Sequence, residues 1–242
     1  MRRISRNRGG QVFPPPEAMQ PDAFGLVALG GDLREATLLE AYRKGIFPWE
    51  GREPIPWYSP DPRMILAPGA FHAGRSLRKA ARRAGFEITV DHAFVPVMSA
   101  CARVPRRGQV DSWITPRMIR AYGHLHDRGV AHSVEVWQGE ALVGGLYGLA
   151  LGRAFFGESM FSRAPNASKV GLWTLCALLA GAGYHFVDCQ QETAHLRSLG
   201  AVAIPRGDYL ARLAEALAEP DGWLDAIGDP EAVFAPGGGA SQ

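Results

Sequence analysis

The chain has 242 residues, 47% hydrophobic and 21% charged, with a formal net charge of only +2. That composition fills a core for one large domain, or a large and a small one, and excludes disordered and collagen-like chains. Three cysteines (Cys101, Cys176, Cys189) at wide spacing, with no CxxC, argue against a disulfide framework and a zinc cluster.

The opening MRRISRNRGG is basic, but QVFPPPEAMQP follows where a secretory signal would have an apolar run. Residues 1–31 read as irregular, with a turn at Gly30-Gly31. A helix is expected over 32–45, capped by Asp32 with Glu35 completing the capping pattern, faced by Leu33, Leu39 and Tyr42, and stopped by Gly45. IFPWEGREPIPWYSPDPR, 46–63, is an aromatic, proline-stiffened loop. Its Phe47, Trp49, Trp57 and Tyr58 either plug a seam between domains or form a stacking wall for a flat ligand. A small first domain, 1–63, is expected to end here, with a larger one over 64–242.

GRSLRKAARRAG, 74–85, is a short basic helix in which Arg78/Arg82 and Lys79/Arg83 repeat at i,i+4. Such like-charge pairs each cost an isolated helix about 0.2–0.5 kcal/mol, which a phosphate backbone would relieve. Residues 74–107 carry eight Lys or Arg against Glu87 and Asp91, about +6, and 208–242 come to about −6. The asymmetry points to an anionic partner for the middle of the chain, although Arg-rich surfaces are also common without one. FEITVD alternates as a strand. TPRMIRAYGHLHDRG is a helix with Thr115 at its cap, Pro116 in its first turn and Gly129 at its end. HSVEVWQGEALVGGLYGLALGRAFFGESMFS, 132–162, is three antiparallel strands turning near Gly139-Glu140 and Gly152-Arg153. Gly144, Gly145 and Gly148 are unfavourable inside a strand unless something lies close to the backbone. An apolar helix over 166–183 with Asn166 as its cap follows, then strand YHFVD, short helix TAHLRSLG, strand AVAIP and a surface helix over 208–217 capped by Asp208. From Pro220 the chain is Gly- and Pro-rich and at best partly ordered. The apolar stretch near 170–187 is broken by glycine and too polar at its edges to span a membrane, so a cytoplasmic protein is expected. The element order suggests a mixed α/β fold with helices packed on a mixed sheet, as in acyltransferases.

Nucleotide loops are missing: no GxGxxG follows a strand, and no GxxxxGK[ST] occurs. RAPNASKVG replaces the glycine-rich phosphate loop of an acetyl-coenzyme A enzyme. No GxSxG elbow marks a serine triad. His124 and His126 sit two apart on a helix and point in different directions, so no metal site is expected. Two polar groups in apolar settings remain. Glu158, in FFGESMF, needs a partner if buried, either a substrate ammonium or a buried Arg or Lys. Asp188 ends a strand, where clefts often open, and Gln190 would point to the same side if the extended backbone persists. The two could grip a nucleophile, or could simply form a cap and turn into the next helix.

LGGDL, GIFPW, WYSPDPR, SWIT, AHSVEVW, LVGGLYG, FFGESMFS, NASK and VDCQ stand in this order across roughly residues 24–210. Together they resemble the leucyl/phenylalanyl-tRNA–protein transferases. The resemblance implies a small N-terminal domain followed by a GNAT-like acyltransferase domain. It implies transfer of Leu or Phe, less readily Met, from aminoacyl-tRNA to proteins beginning with Arg or Lys, which are then degraded by the N-end rule. No cofactor is implied, and a monomer is expected. By this likeness Asp188 and Gln190 are the reaction-centre pair and Glu158 recognises the donor's amino group. Trp49 and Trp113 lie near the terminal adenosine of the tRNA, Phe155 walls the side-chain pocket and Met160 lies beside it. Leu146 stands where the family often has methionine, a departure that bears on Leu-to-Phe preference. Arg75, Arg78, Lys79, Arg82 and Arg83 are the expected tRNA-contacting residues. The alternatives are an acyltransferase of the same layout with another carrier, and a non-catalytic RNA-binding module.

Overall fold

The computed structural model describes residues 2–5, 11–49, 53–104 and 112–227. Arg106, Arg107 and the chain beyond residue 227 lie outside them. Two sheets and eight α-helices make up a mixed α/β fold among the described residues.

The first sheet contains β1 (Arg2–Ile4), β2 (Leu26–Gly30), then, after α1 (Glu35–Arg43), β3 (Phe47–Pro48) and β4 (Pro56–Tyr58). Its strand order is β1-β2-β4-β3. The region expected to be irregular therefore holds two strands, and the expected aromatic loop holds two more. LVALG shows no alternation, so only its antiparallel partner β4 reveals it as a strand. Asp32 does not cap α1. Its Oδ1 accepts the Arg34 N–H at 3.1 Å and the Thr37 hydroxyl at 2.7 Å, and Arg34 takes the cap position. Thr37, Leu38, Ala41 and Tyr42 are the buried face. Gly45 ends the helical run at φ +69°, and a Cβ there would lie 2.8 Å from the Tyr209 ring. No other residue lets the chain pass so close.

The second sheet begins with β5 (Arg63–Leu66). After α2 (Arg75–Ala84) come β6 (Glu87–Val90), α3 (Phe94–Ala102) and α4 (Pro116–Asp127). A meander follows: β7 (Ala131–Gln138), β8 (Ala141–Leu151) and β9 (Ala154–Ser162). The described residues close with α5 (Ala167–Gly181), β10 (Phe186–Gln190), α6 (Ala194–Ser198), β11 (Val202–Ile204), α7 (Arg206–Ala218) and α8 (Trp223–Ala226). The seven strands run β11-β5-β10-β9-β8-β7-β6. β9 and β10 are parallel, joined by α5 as a crossover, and the other pairings are antiparallel.

Helix α3 has no signal in FVPVMSACA, which is almost uniformly apolar and contains a proline. The proline falls in the first turn, where its missing N–H is tolerated. Buried Glu135 sits at the helix entrance, its oxygens accepting the N–H groups of His92 at 3.4 Å and Ala93 at 3.3 Å. Asn166 occupies the cap position of α5 at φ +67° but makes no side-chain cap; the Ser162 hydroxyl accepts the Ser168 N–H instead. Asp208 lies in the first turn of α7, behind Pro205 at the cap. Of the segment from Pro220 expected to be at best partly ordered, residues 220–227 are described and are anchored, and the rest lies outside the described residues. Trp223 is buried and stacked on His132 with centroids 4.0 Å apart, and its Nε1 donates to Asp91 Oδ2 at 2.9 Å.

The core lies on both faces of the large sheet. On one face Phe94, Tyr122 and Phe156 join Phe13, Tyr42 and Trp57 of the N-terminal part in a continuous apolar cluster. On the other, α2 and α5 cover Met64, Val134, Leu146 and Phe155. The strand glycines mark tight approaches: a Cβ on Gly148 would lie 2.2 Å from the Phe156 carbonyl oxygen and 2.5 Å from the Phe155 ring. Gly148→Ala is therefore expected to destabilise by about 1–3 kcal/mol or more, measured as a lower urea midpoint with an unchanged m-value.

Candidate active site

Strands β9 and β10 pair only at Phe186–Ala154, Val187–Phe155 and Asp188–Phe156. Beyond that point β9 runs on to Ser162, while β10 shifts register against β5 between Asp188 and Gln190. Gln190 takes φ +63°. The extended backbone does not persist, so Gln190 leaves the strand direction and the two strands splay. In the splay lies a cavity of about 130 Å³. Glu158 and Met160 line it from β9, Val187, Cys189 and Gln190 from β10, Leu146 and Tyr147 from β8, Leu172 and Leu175 from α5, and Leu196 from α6.

Asp188 stands behind this cavity at 0% exposure, and its two oxygens receive four donors. Oδ1 accepts from Arg63 Nε at 2.8 Å and from the Gln190 backbone N–H at 2.9 Å. Oδ2 accepts from Arg63 Nη2 at 2.6 Å and the Tyr209 hydroxyl at 2.8 Å. A carboxylate has about four lone-pair sites, so none is left for a substrate proton. Arg63 is equally buried. Its Nη1 donates to the Gly45 carbonyl at 3.1 Å, and its guanidinium lies 4.9 Å from the Phe47 ring centre and 4.4 Å from that of Tyr209. Burial alone would lower the Arg63 pKa, but the adjacent Asp188 carboxylate reverses this and leaves it above its ordinary value. Such a fork-to-fork pair is among the stronger polar interactions a protein makes.

Glu158 is only 8% exposed and has no cation at ion-pair distance among the described residues. Its partners are neutral: Gln190 Nε2 donates to Oε1 at 2.7 Å, and the Tyr122 hydroxyl lies 3.5 Å from Oε2. Tyr122 in turn meets the Tyr42 hydroxyl at 2.5 Å. Burial pushes the Glu158 carboxyl from an ordinary 4.5 up to about 8; hydrogen bonds from Tyr42 and Gln190 only partly offset it, and the Asp188 charge adds to the rise. The directly paired Arg or Lys weighed as one alternative is thus not found among the described residues, leaving a carboxyl poised at the edge of an apolar cavity.

The structure brings Asp188, Gln190, Glu158, Leu146 and Met160 together. Phe155 does not itself line the cavity: it is fully buried in the same apolar cluster as the lining residues Leu146, Leu172, Leu175 and Val187, and stacked on Trp223 with centroids 5.7 Å apart. Trp49 packs edge-on to Tyr58 at 5.3 Å, and Trp113 is buried in the core cluster of the opposite face; neither lines the cavity. Arg75, Arg78, Lys79, Arg82 and Arg83 are exposed on α2, whose buried residues are Leu77 and Ala81. Arg78 Nε donates to the Ala73 carbonyl and its guanidinium sits over Trp173. Three histidines have partners away from the cavity: His124 meets Glu35, His126 the Ala131 carbonyl, and His132 Asp91. Arg63, Tyr209, Tyr42 and Tyr122 join this polar cluster, and sequence reasoning misses them. The one signal is the charge of Arg63 at the head of the otherwise apolar RMIL. No described helix is long and apolar enough to cross a membrane.

Comparison with known proteins agrees with the ordered motifs. The family model described as leucyl/phenylalanyl-tRNA protein transferase N-terminal domain matches residues 31–61, and that described as leucyl/phenylalanyl-tRNA protein transferase matches 65–214. The protein of that name from Thiobacillus denitrificans is 57% identical over 84% of this chain and 89% of its own length. Those from Myxococcus xanthus and Pseudomonas aeruginosa are 52% and 54% identical, over 87% and 88% of this chain and 89% and 95% of theirs. Among solved structures, the C-terminal domain of a putative lysylphosphatidylglycerol synthetase from Agrobacterium fabrum aligns at TM-score 0.36 and 13% identity, over 89% of this chain and 74% of that one. Matched by these models over most of its described length, and more than half identical to relatives along nearly their whole chains, this chain belongs to the leucyl/phenylalanyl-tRNA–protein transferase family.

Proposed function

We propose that this chain moves Leu or Phe, less readily Met, from aminoacyl-tRNA to the N-terminal amine of proteins that begin with Arg or Lys, marking them for N-end rule degradation in the cytoplasm. Residues 1–63 form the small N-terminal domain and 64–242 a GNAT-like catalytic domain that works as a monomer without a cofactor. The observation that carries the reading is the cavity between β9 and β10: apolar on most sides, with Glu158 and Gln190 at one end. Its 130 Å³ is far below the roughly 300–1,000 Å³ of drug-sized sites. It suits one apolar amino-acid side chain, with the α-ammonium at Glu158.

The tRNA ester is already activated. The acceptor amine, with a reference pKa of about 7.7–8.0, is partly neutral near pH 7. Its nitrogen attacks the ester carbonyl, the new C–N bond replaces the C–O bond to the ribose, and the amine proton leaves with the ribose oxygen. Positioning supplies much of the acceleration. Gln190 and Glu158 face the donor; Asp188 holds Gln190 from behind. Trp49 and Trp113 are assigned to the terminal adenosine and Phe155 to the support of the pocket wall.

The test is transfer of radiolabelled Leu from Leu-tRNA to a peptide beginning with Arg, beside one beginning with Glu. Label on the Arg peptide alone is expected; no transfer by folded protein would turn attention to other acyl donors. The exposed cations of α2 are assigned to the acceptor stem. Reversing Arg82 and Arg83 to Glu should weaken Leu-tRNA binding at least tenfold at low salt. It should also flatten the slope of log K against log salt, by about 0.7–0.9 for each phosphate no longer neutralised. An unchanged slope would remove α2 from the interface.

A further inference from the structure

Gln190 occupies the left-handed region, where a residue with a Cβ sits only if its surroundings hold it there. What holds it is visible. Its backbone N–H is bound by Asp188 Oδ1 at 2.9 Å, and Asp188 is itself fixed by Arg63 from β5 and Tyr209 from α7. With that turn in place, Gln190 Nε2 reaches Glu158 Oε1 at 2.7 Å across the splay. We propose that Arg63 and Tyr209 are positioning residues for the transfer reaction: they lock Asp188, which locks the turn at Gln190, which aims the Gln190 amide at Glu158. Neither lines the cavity, and each acts through the residue in front of it. The inference rests on the transfer reading for its kinetic test but not for its structural one.

A buried ion pair is by itself weak evidence of a contribution to stability. What sets this one apart is that Asp188 Oδ1 is shared between Arg63 and the Gln190 N–H. Tyr209→Phe is the informative variant, because the ring keeps its place over Arg63 and beside Phe186 at 5.9 Å while only the hydroxyl is removed. In steady-state transfer, kcat should fall about tenfold, equivalent to about 1.4 kcal/mol, with KM for Leu-tRNA unchanged within about twofold. In a Gln190→Ala background the same substitution should cost less than about twofold, since the residue it acts on is gone. An equal loss in both backgrounds, or no loss of kcat in the first, overturns the proposal. A second readout needs no activity. The Gln190 backbone amide proton, bonded to a carboxylate, should resonate downfield in nitrogen-15 spectra and move upfield in Tyr209→Phe and Arg63→Lys. A resonance that stays put overturns the proposal. A wild-type protein that transfers nothing defeats the functional reading alone and leaves the amide shift to decide.

Discussion

Asp188→Asn should cost the protein about 3–5 kcal/mol of stability together with most of its transfer activity. The substitution keeps the shape but leaves the Arg63 guanidinium buried with no opposing charge, and the new amide presents a donor where Arg63 Nη2 and Tyr209 already donate. The loss would appear as a lower urea midpoint, and as a fall in turnover greater than the unfolded fraction explains. Leu-tRNA affinity should stay within about twofold, since α2 lies elsewhere. The double variant Arg63→Met with Asp188→Leu separates the two effects. Removing both charges in favour of apolar groups of similar volume often leaves stability near neutral or improves it, so folding should recover while turnover does not. Native stability in Asp188→Asn alone would show that the pair is not the buried anchor described.

Glu158→Gln should have the opposite pattern, with a more stable protein above neutral pH and a much poorer enzyme. The wild-type carboxyl has a folded pKa of about 8 against an ordinary 4.5. Between these values the folded chain keeps a proton that the unfolded chain has released. Stability from this group is therefore intact below about pH 4.5, falls as pH rises through the window, and is fully lost above about pH 8. The penalty is on the order of a few kcal/mol. Glutamine keeps an oxygen for the Gln190 amide and carries no charge, so the variant should lose this slope and unfold later than wild type at pH 8.5. For the same reason it cannot pair with the donor's ammonium. Its kcat/KM for Leu-tRNA should drop about a hundredfold, in the range for removing one partner of a buried charge pair. Wild-type kcat/KM should rise toward pH 8 as Glu158 ionises, and the variant should retain only the shallower rise of the acceptor amine. Identical pH profiles would exclude Glu158 as the ammonium's partner.

Much of this molecule is legible from sequence where the signal is local. The meander turns at Gly139 and Gly152 follow from turn chemistry, and α4 from Thr115, Pro116 and Gly129, because each depends on residues a few positions apart. Gly144, Gly145 and Gly148 correctly announce close approach, though not to what. Glu158, Asp188 and Gln190 stand out because polar groups in apolar runs need partners.

The partners are decided by tertiary structure alone. Arg63 lies 125 positions from Asp188, and Tyr209 lies on a helix that reads as surface, so no spacing rule joins them. The splay of β9 from β10 depends on where a parallel ladder stops and on a backbone turn at Gln190 that an extended strand pattern hides. Phe155 is one position from Phe156, and pleat alternation sends the two rings to opposite faces of the sheet. The candidate polar residues and the turns are legible in the sequence because they rest on residue type and short-range geometry. How the carboxylates are held is not legible there, since burial and long-range pairing exist only once the sheet is assembled.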